Sequence, residues 1–148
     1  MQTQMQINNE LIVGSQPQLE ELEQLSQQGV RSVINLRVNN EDADMLEPEA
    51  EGEAVRGHGM NYVHLPVSGK QMRTEQVDDF RQFLSALDGP LFVHCKAGKR
   101  AGAFAIMHQA VERGWSGKQA LSEAEKAGFK CDDADMKEFV TQYVDNHR

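Results

Sequence analysis

The segment Leu91–Phe104, LFVHCKAGKRAGAF, constrains this chain more than any other. An apolar run ends in His94 and Cys95, a short Lys/Gly/Arg stretch follows, and a helix rich in small residues is expected over Ala101–Arg113. A buried strand leading straight into a helix is half of a parallel crossover unit. Its loop lies where the carboxyl end of a strand meets the amino end of a helix. Backbone N–H groups and the positive helix end then face whatever sits over Cys95, which builds an anion site around a sulfur. The same field favours a thiolate, and Lys96, Lys99 and Arg100 reinforce it. Gly98 supplies the φ > 0 turn such a loop needs. Arg100 has the planar fork that clamps two oxygens of a tetrahedral anion.

The plain alternative is that Cys95 merely closes a strand as a small core residue, the usual fate of a free cysteine. Its neighbours argue against this, because three cations and a glycine within five residues make a poor hydrophobic surrounding. The reading adopted is an activated cysteine nucleophile.

The remaining chain alternates strand and helix signals. Met5–Ile7 and Leu11–Val13 flank a turn, Gln18–Gln28 carries leucines at helical spacing with Gly29 as its stop, and Val30–Leu36 is β-branched and apolar. Asn39–Glu53 holds seven carboxylates and reads as a solvated loop and helix face, since no metal-ligand spacing appears. A short helix is expected over Ala50–His58, weakened by Gly52, then a strand at Asn61–Val67. Thr74 is placed as the cap of a helix reaching Leu87. Ser116 with Gln119 forms a capping-box pattern, and Asp132 or Asp133 starts a final helix bearing Met136, Phe139, Val140 and Tyr143. The expectation is an α/β fold, a single domain over residues 1–148, with a mainly parallel sheet of about four strands between helices, extended by the N-terminal hairpin.

Charge and cysteine usage narrow the function classes. A net charge of -8 argues against nucleic acid or anionic membrane as partners. A local positive site in an acidic shell suits instead a small phosphate-containing molecule or one phosphorylated side chain. Cys95 and Cys131 lie far apart with no CxxC or zinc spacing, which points to free thiols in a reducing, cytoplasmic compartment. The start MQTQMQINNELIVG reads as neither signal peptide nor transmembrane span. His58, His64, His108 and His147 show no pairing that would hold a metal, and no cofactor is called for. Cys131, beside Asp132 and Asp133, reads as inert.

HCKAGKRAG resembles the phosphate-binding loop of the cysteine-dependent protein tyrosine and dual-specificity phosphatases. LIVGSQPQLEELEQLSQQGVRSVINLR and MNYVHLPV are similar to the bacterial beta-lactamase-hydrolase-like, phosphatase-like branch, a likeness covering roughly Leu11–Gly114. It implies a protein tyrosine phosphatase-like fold and a cysteinyl-phosphate mechanism. Cys95 would attack phosphorus. Arg100 and the amides of Lys96, Ala97, Gly98, Lys99 and Ala101 would hold the equatorial oxygens, and His94 would tune the cysteine through hydrogen bonds. Arg37 and Glu41, after VINL, would line the pocket.

Two departures stand out. The phosphatase motif has five residues between Cys and Arg, whereas Lys96–Lys99 make four, so the loop is one residue short. The resulting CxxGxR pattern also resembles rhodanese-type sulfurtransferases, whose smaller cradle holds a persulfide, and this remains the rival reading beside an anion-binding module without turnover. Second, HLPVSGKQMRTEQ lacks the Asp that serves the family as general acid, leaving Glu41, Asp42 and Asp44 as candidates.

Overall fold

In the computed structural model, residues 4–129, 131 and 133–148 are described. Five strands form one sheet: β1 (Gln4–Asn8), β2 (Leu11–Gly14), β3 (Ser32–Asn35), β4 (Asn61–His64) and β5 (Leu91–His94), in the order β1-β2-β5-β3-β4. β2, β5, β3 and β4 run parallel, and β1 adds the N-terminal hairpin to the edge as the single antiparallel pair. Among the described residues, six helices accompany the sheet: α1 (Leu19–Gln27), α2 (Pro48–Gly57), α3 (Thr74–Ala86), α4 (Lys99–Arg113), α5 (Gly117–Lys126) and α6 (Ala134–Asn146). The expected fold class and the extension of the sheet by the hairpin both hold.

Side-chain alternation divides the core into two layers. On β5, Leu91 and Val93 point into a cluster with α3, α4, α5 and α6, while Phe92 points the other way, to Leu22 and Leu25 of α1 and Val55 of α2. Ile34 and Val33 of β3 divide in the same fashion. The strands are apolar throughout because both faces are covered. The register aligns their carboxyl ends: Gly14 and Asn35 both pair with His94, and Asn35 also pairs with His64. Four loops, following β2, β3, β4 and β5, therefore emerge along one edge of the sheet.

Several boundaries differ from the sequence expectation for local reasons. α4 begins at Lys99 rather than Ala101, because Gly98 at φ 96° turns the chain directly into the helix. This places Lys99 and Arg100 in the first turn instead of a free loop. α2 starts at Pro48, where a missing N–H costs nothing. Thr74 is the first helical residue and not the cap; Arg73 takes that place, its N–H donating to Gln76 Oε1 at 2.8 Å. β3 and β4 stop short of Leu36 and Val67, yet the chain stays tied to the sheet, with Leu36 N–H donating to His94 O and Val67 N–H to Leu36 O, each at 2.9 Å. Ser116 Oγ accepts the Gln119 N–H, and Asp133 accepts those of Asp135 and Met136. Asp132, the other candidate cap, lies outside the described residues. No helix among these residues is long and apolar enough to cross a membrane.

α4 is the central element of the thicker layer, and Ala101, Ala103, Phe104, Ala105, Met107 and Ala110 along it are fully buried. Phe104 meets Phe80 of α3 edge-to-face at 5.6 Å between centroids. Phe104→Ala is expected to cost about 3–5 kcal/mol in urea unfolding. A loss below about 1 kcal/mol would mean that α4 is not anchored against α3 as described.

Candidate active site

Cys95 follows the last residue of the central strand and is 1% exposed. Its N–H bonds back to Gly14 O at 3.4 Å, so the residue is still held by β2. The Gly98 N–H donates to Cys95 Sγ at 3.1 Å, beneath the amino end of α4. Lys96, Ala97 and Lys99 stand exposed around it, whereas the Ala101 side chain belongs to the core.

Arg100 reaches the same place from the first turn of α4. Nη1 donates to Glu41 Oε1 at 2.6 Å and to Val67 O at 2.8 Å, and Nη2 donates to Glu41 Oε2 at 2.8 Å. A guanidinium has five N–H groups, so these three bonds leave Nε–H and one Nη2–H, the pair along one edge. Cys95 lies close enough to this guanidinium for a charge on the sulfur to be felt there. Burial is the largest influence and works against the charge on Arg100, but Glu41 and Cys95 together outweigh it and the pKa stays raised. Burial likewise would raise Glu41, yet Arg100 holds its carboxyl below the usual range. Asp42 is also held low, first by the Asp44 N–H and then by Lys96, whose Nζ lies 3.1 Å from Asp42 Oδ2. The acidic segment thus folds back over the Cys95 loop, with Glu41 and Asp42 engaged by two of its cations.

Behind the loop runs a second set of polar contacts. His94 and Glu51 of α2 are both fully buried, with Nε2 and Oε2 2.6 Å apart. Glu51 Oε1 accepts from Gln16 Nε2 at 2.6 Å. Gln16 in turn accepts from Arg37 Nη1 at 2.7 Å, and its N–H donates to Lys96 O at 3.1 Å. Arg37 is fully buried. It also donates to Leu46 O at 2.6 Å, and its Nε lies 3.7 Å from Glu41 Oε2. Arg37 therefore stands beneath the loop and supports Glu41 and Gln16, instead of opening onto a cavity.

A groove of roughly 750 Å³ lies alongside the loop. Pro17 and Leu19 form one wall, Asp44, Met45 and Leu46 the other, and Lys96 and Ala97 border the Cys95 end. Leu19 is the one large hydrophobic residue exposed among the described residues, at 53%.

The structure brings Cys95, Arg100, His94 and Glu41 near one another, and adds Glu51 and Gln16, which the sequence does not single out. Glu51 was grouped with solvated carboxylates, and the structure overturns this for that residue. A signal was present. Pro48, Glu51, Gly52 and Val55 repeat at the spacing of a buried helical stripe, and all four are buried. Gly52 is needed there, because a Cβ would come within 2.9 Å of the Tyr62 ring.

A buried thiol at the carboxyl end of the central parallel strand, roofed by a helix amino end and flanked by an arginine, defines a cysteine-based anion cradle. Residues 2–142 match the family model described as DSP-PTPase phosphatase fused to NAD+ kinase, and the chain belongs to that family. The beta-lactamase hydrolase-like protein of Agrobacterium fabrum is 32% identical over 108 residues, which are 73% of this chain and 25% of that protein. The chain thus spans about a quarter of the length of that relative. The dual specificity protein phosphatase TpbA of Pseudomonas aeruginosa is 35% identical over 85 residues, 55% of this chain and 38% of its own. Two solved structures share the fold: a cysteine-to-serine TpbA in complex with phosphotyrosine, at TM-score 0.72 and 23% identity over 95% of this chain and 82% of that one; and Tk-PTP in the active form, at TM-score 0.80 and 17% identity over 99% of each.

Glu41 occupies the far edge of the Arg100 guanidinium and leaves the other edge open. Glu41→Gln is expected to weaken inorganic phosphate or vanadate binding about tenfold or more, the worth of one oriented charge-assisted bond, although a negative charge has been removed. Tighter binding in this variant would show that Glu41 competes with the anion. Because the Glu41 pKa is depressed on folding, the contact contributes above the unfolded carboxyl value and is lost as pH falls through the folded one. Vanadate affinity should accordingly fall on strong acidification in wild type and less in Glu41→Gln.

Proposed function

We propose that this chain is a cysteine-dependent phosphatase acting on phosphate monoesters, with aryl phosphates as its best substrates. The observation that carries the reading is the Cys95 sulfur, which accepts the Gly98 N–H under the amino end of α4 with Arg100 alongside. In the first step the thiolate forms an S–P bond while the P–O ester bond breaks, its electrons leaving with the alcohol or phenol oxygen. In the second, water attacks the cysteinyl phosphate, the S–P bond breaks, and inorganic phosphate and the thiolate are regenerated. Loop amides and the free edge of Arg100 balance the charge on the phosphoryl oxygens. The groove lined by Pro17, Leu19, Met45 and Leu46 offers an apolar surface for the leaving group. TpbA in its phosphotyrosine complex shows a neighbour of this fold holding an aryl phosphate, which supports the same ligand class here.

The acid partner explains the preference for aryl esters. Glu41 and Asp42 are held in their ionised forms by Arg100 and Lys96, so neither is a good proton donor near neutrality. Asp44 borders the groove and is the remaining candidate. Phenoxides leave with little protonation, whereas alkoxides do not.

One feature favours a second reading, persulfide sulfur transfer. Four residues separate Cys95 from Arg100, and three of the five N–H groups of Arg100 are taken by Glu41 and Val67, leaving few donors for three phosphoryl oxygens. A terminal sulfur needs fewer. Here the thiolate would take the outer sulfur of thiosulfate, releasing sulfite, and pass it to cyanide as thiocyanate.

Purified protein is therefore assayed in parallel on p-nitrophenyl phosphate and on thiosulfate with cyanide. Phosphate release that disappears in Cys95→Ser and drops at least about a hundredfold in Arg100→Ala is the expected result. Thiocyanate without phosphate release establishes the second reading. Neither product would leave an anion-binding module. Across a series of leaving groups, kcat/KM should depend steeply on leaving-group pKa in wild type. A flat dependence that steepens in Asp44→Asn would instead identify Asp44 as a working acid.

A further inference from the structure

We propose that Glu51 is a positioning residue that keeps His94 in its doubly protonated form, and so maintains a buried positive charge beside Cys95. The inference rests on the reading of Cys95 as the nucleophile. Both ring nitrogens of His94 face acceptors: Nε2 lies 2.6 Å from Glu51 Oε2, and Nδ1 lies 3.3 Å from the Cys95 carbonyl oxygen. A ring between a carboxylate and a carbonyl satisfies both contacts only by donating from both nitrogens, unless the carboxyl itself carries the proton.

Two features place that proton on the ring. Glu51 lies in the first turn of α2, where the helix end stabilises a negative carboxylate. Its other oxygen accepts from Gln16, and Gln16 is bonded to the buried Arg37 guanidinium, which brings positive charge toward the carboxylate. A helix end and the Gln16 amide thus face the carboxylate, while the ring sees only acceptors and the face of Phe92, stacked at 5.7 Å. The other ionisable groups on elements packed around the pair are His64 of β4, which contacts the Arg37 carbonyl, and, on the loop side, Lys96, Lys99, Arg100 and Glu41. Glu51 touches neither the sulfur nor the groove; it acts through His94.

The test is the pH profile of Cys95 alkylation by iodoacetamide, read together with the ring 15N shifts of His94. In wild type the ring should still show imidazolium shifts at about pH 8, where an ordinary histidine has largely lost its proton. Glu51→Gln keeps the shape and one acceptor but removes the charge. The alkylation midpoint should then rise by about one pH unit, a roughly tenfold slower reaction near pH 6, while the plateau rate at high pH stays the same. Glu51→Asp, which restores the charge, should bring the midpoint back toward wild type. A neutral ring in wild type, or an unchanged midpoint in a folded Glu51→Gln protein, would overturn the proposal. If Glu51→Gln does not fold, the wild-type ring shifts decide alone. A wild-type midpoint at the ordinary thiol value would instead overturn the nucleophile reading, and with it the link from Glu51 to the sulfur.

Discussion

The end of β5 is the constraint on which the site depends. Successive residues of a strand point to opposite faces, so adjacent residues His94 and Cys95 are delivered to different layers of the molecule. His94 follows Phe92 toward α1 and α2, where Glu51 meets it; Cys95 follows Val93 toward α4, whose amino end lies over the sulfur. One dipeptide thus joins two otherwise separate cores. A register slip by one residue would exchange the two environments, placing the thiol against a carboxylate and the imidazole under a helix amino end.

Around that pivot the charges form a connected arrangement. Arg37, Glu41, Arg100, Glu51 and His94 are buried or largely so, and each unpaired would be costly in a low-dielectric interior. Glu41 stands between two guanidiniums, bonded to Arg100 and 3.7 Å from Arg37, while Gln16 links Arg37 to Glu51. The loops after β2, β3 and β5 are thereby tied to one another, with α2 bound in through Glu51. This is a costly way to gain stability but an effective way to fix where the Cys95 sulfur and a guanidinium sit, since a misplaced member leaves a buried charge uncompensated.

The short loop has a structural counterpart. With four residues between Cys95 and Arg100, the chain turns at Gly98 directly into α4, and Arg100 approaches from the helix and not from a longer loop. Its guanidinium is then shared with Glu41 and the Val67 carbonyl. The segment that would carry a general acid in the family has Ser68 and Gly69 in its place, while the acidic segment after β3 spends two of its carboxylates on Arg100 and Lys96. Glu41 and Asp42 are thus engaged by cations of the Cys95 loop and the first turn of α4.

The alternation of apolar β-branched runs with helical repeats specified a covered parallel sheet, because such strands are stable only between two layers. The HCKAGKRAG segment specified a sulfur under a helix amino end, because glycine at Gly98 and cations on either side leave few other arrangements. Those features are local, and local sequence carries them. What only tertiary structure decided is the partnering of charges. Glu41, Asp42 and Glu51 belong to one acidic stretch with no spacing that separates them, yet Glu41 clasps Arg100, Asp42 reaches Lys96 and Glu51 is sealed against His94. Their fates depend on the angle at which α2 crosses the sheet and on how the segment after β3 returns to the edge. Both are set by packing between residues distant in the chain, and a linear pattern of charges does not record them.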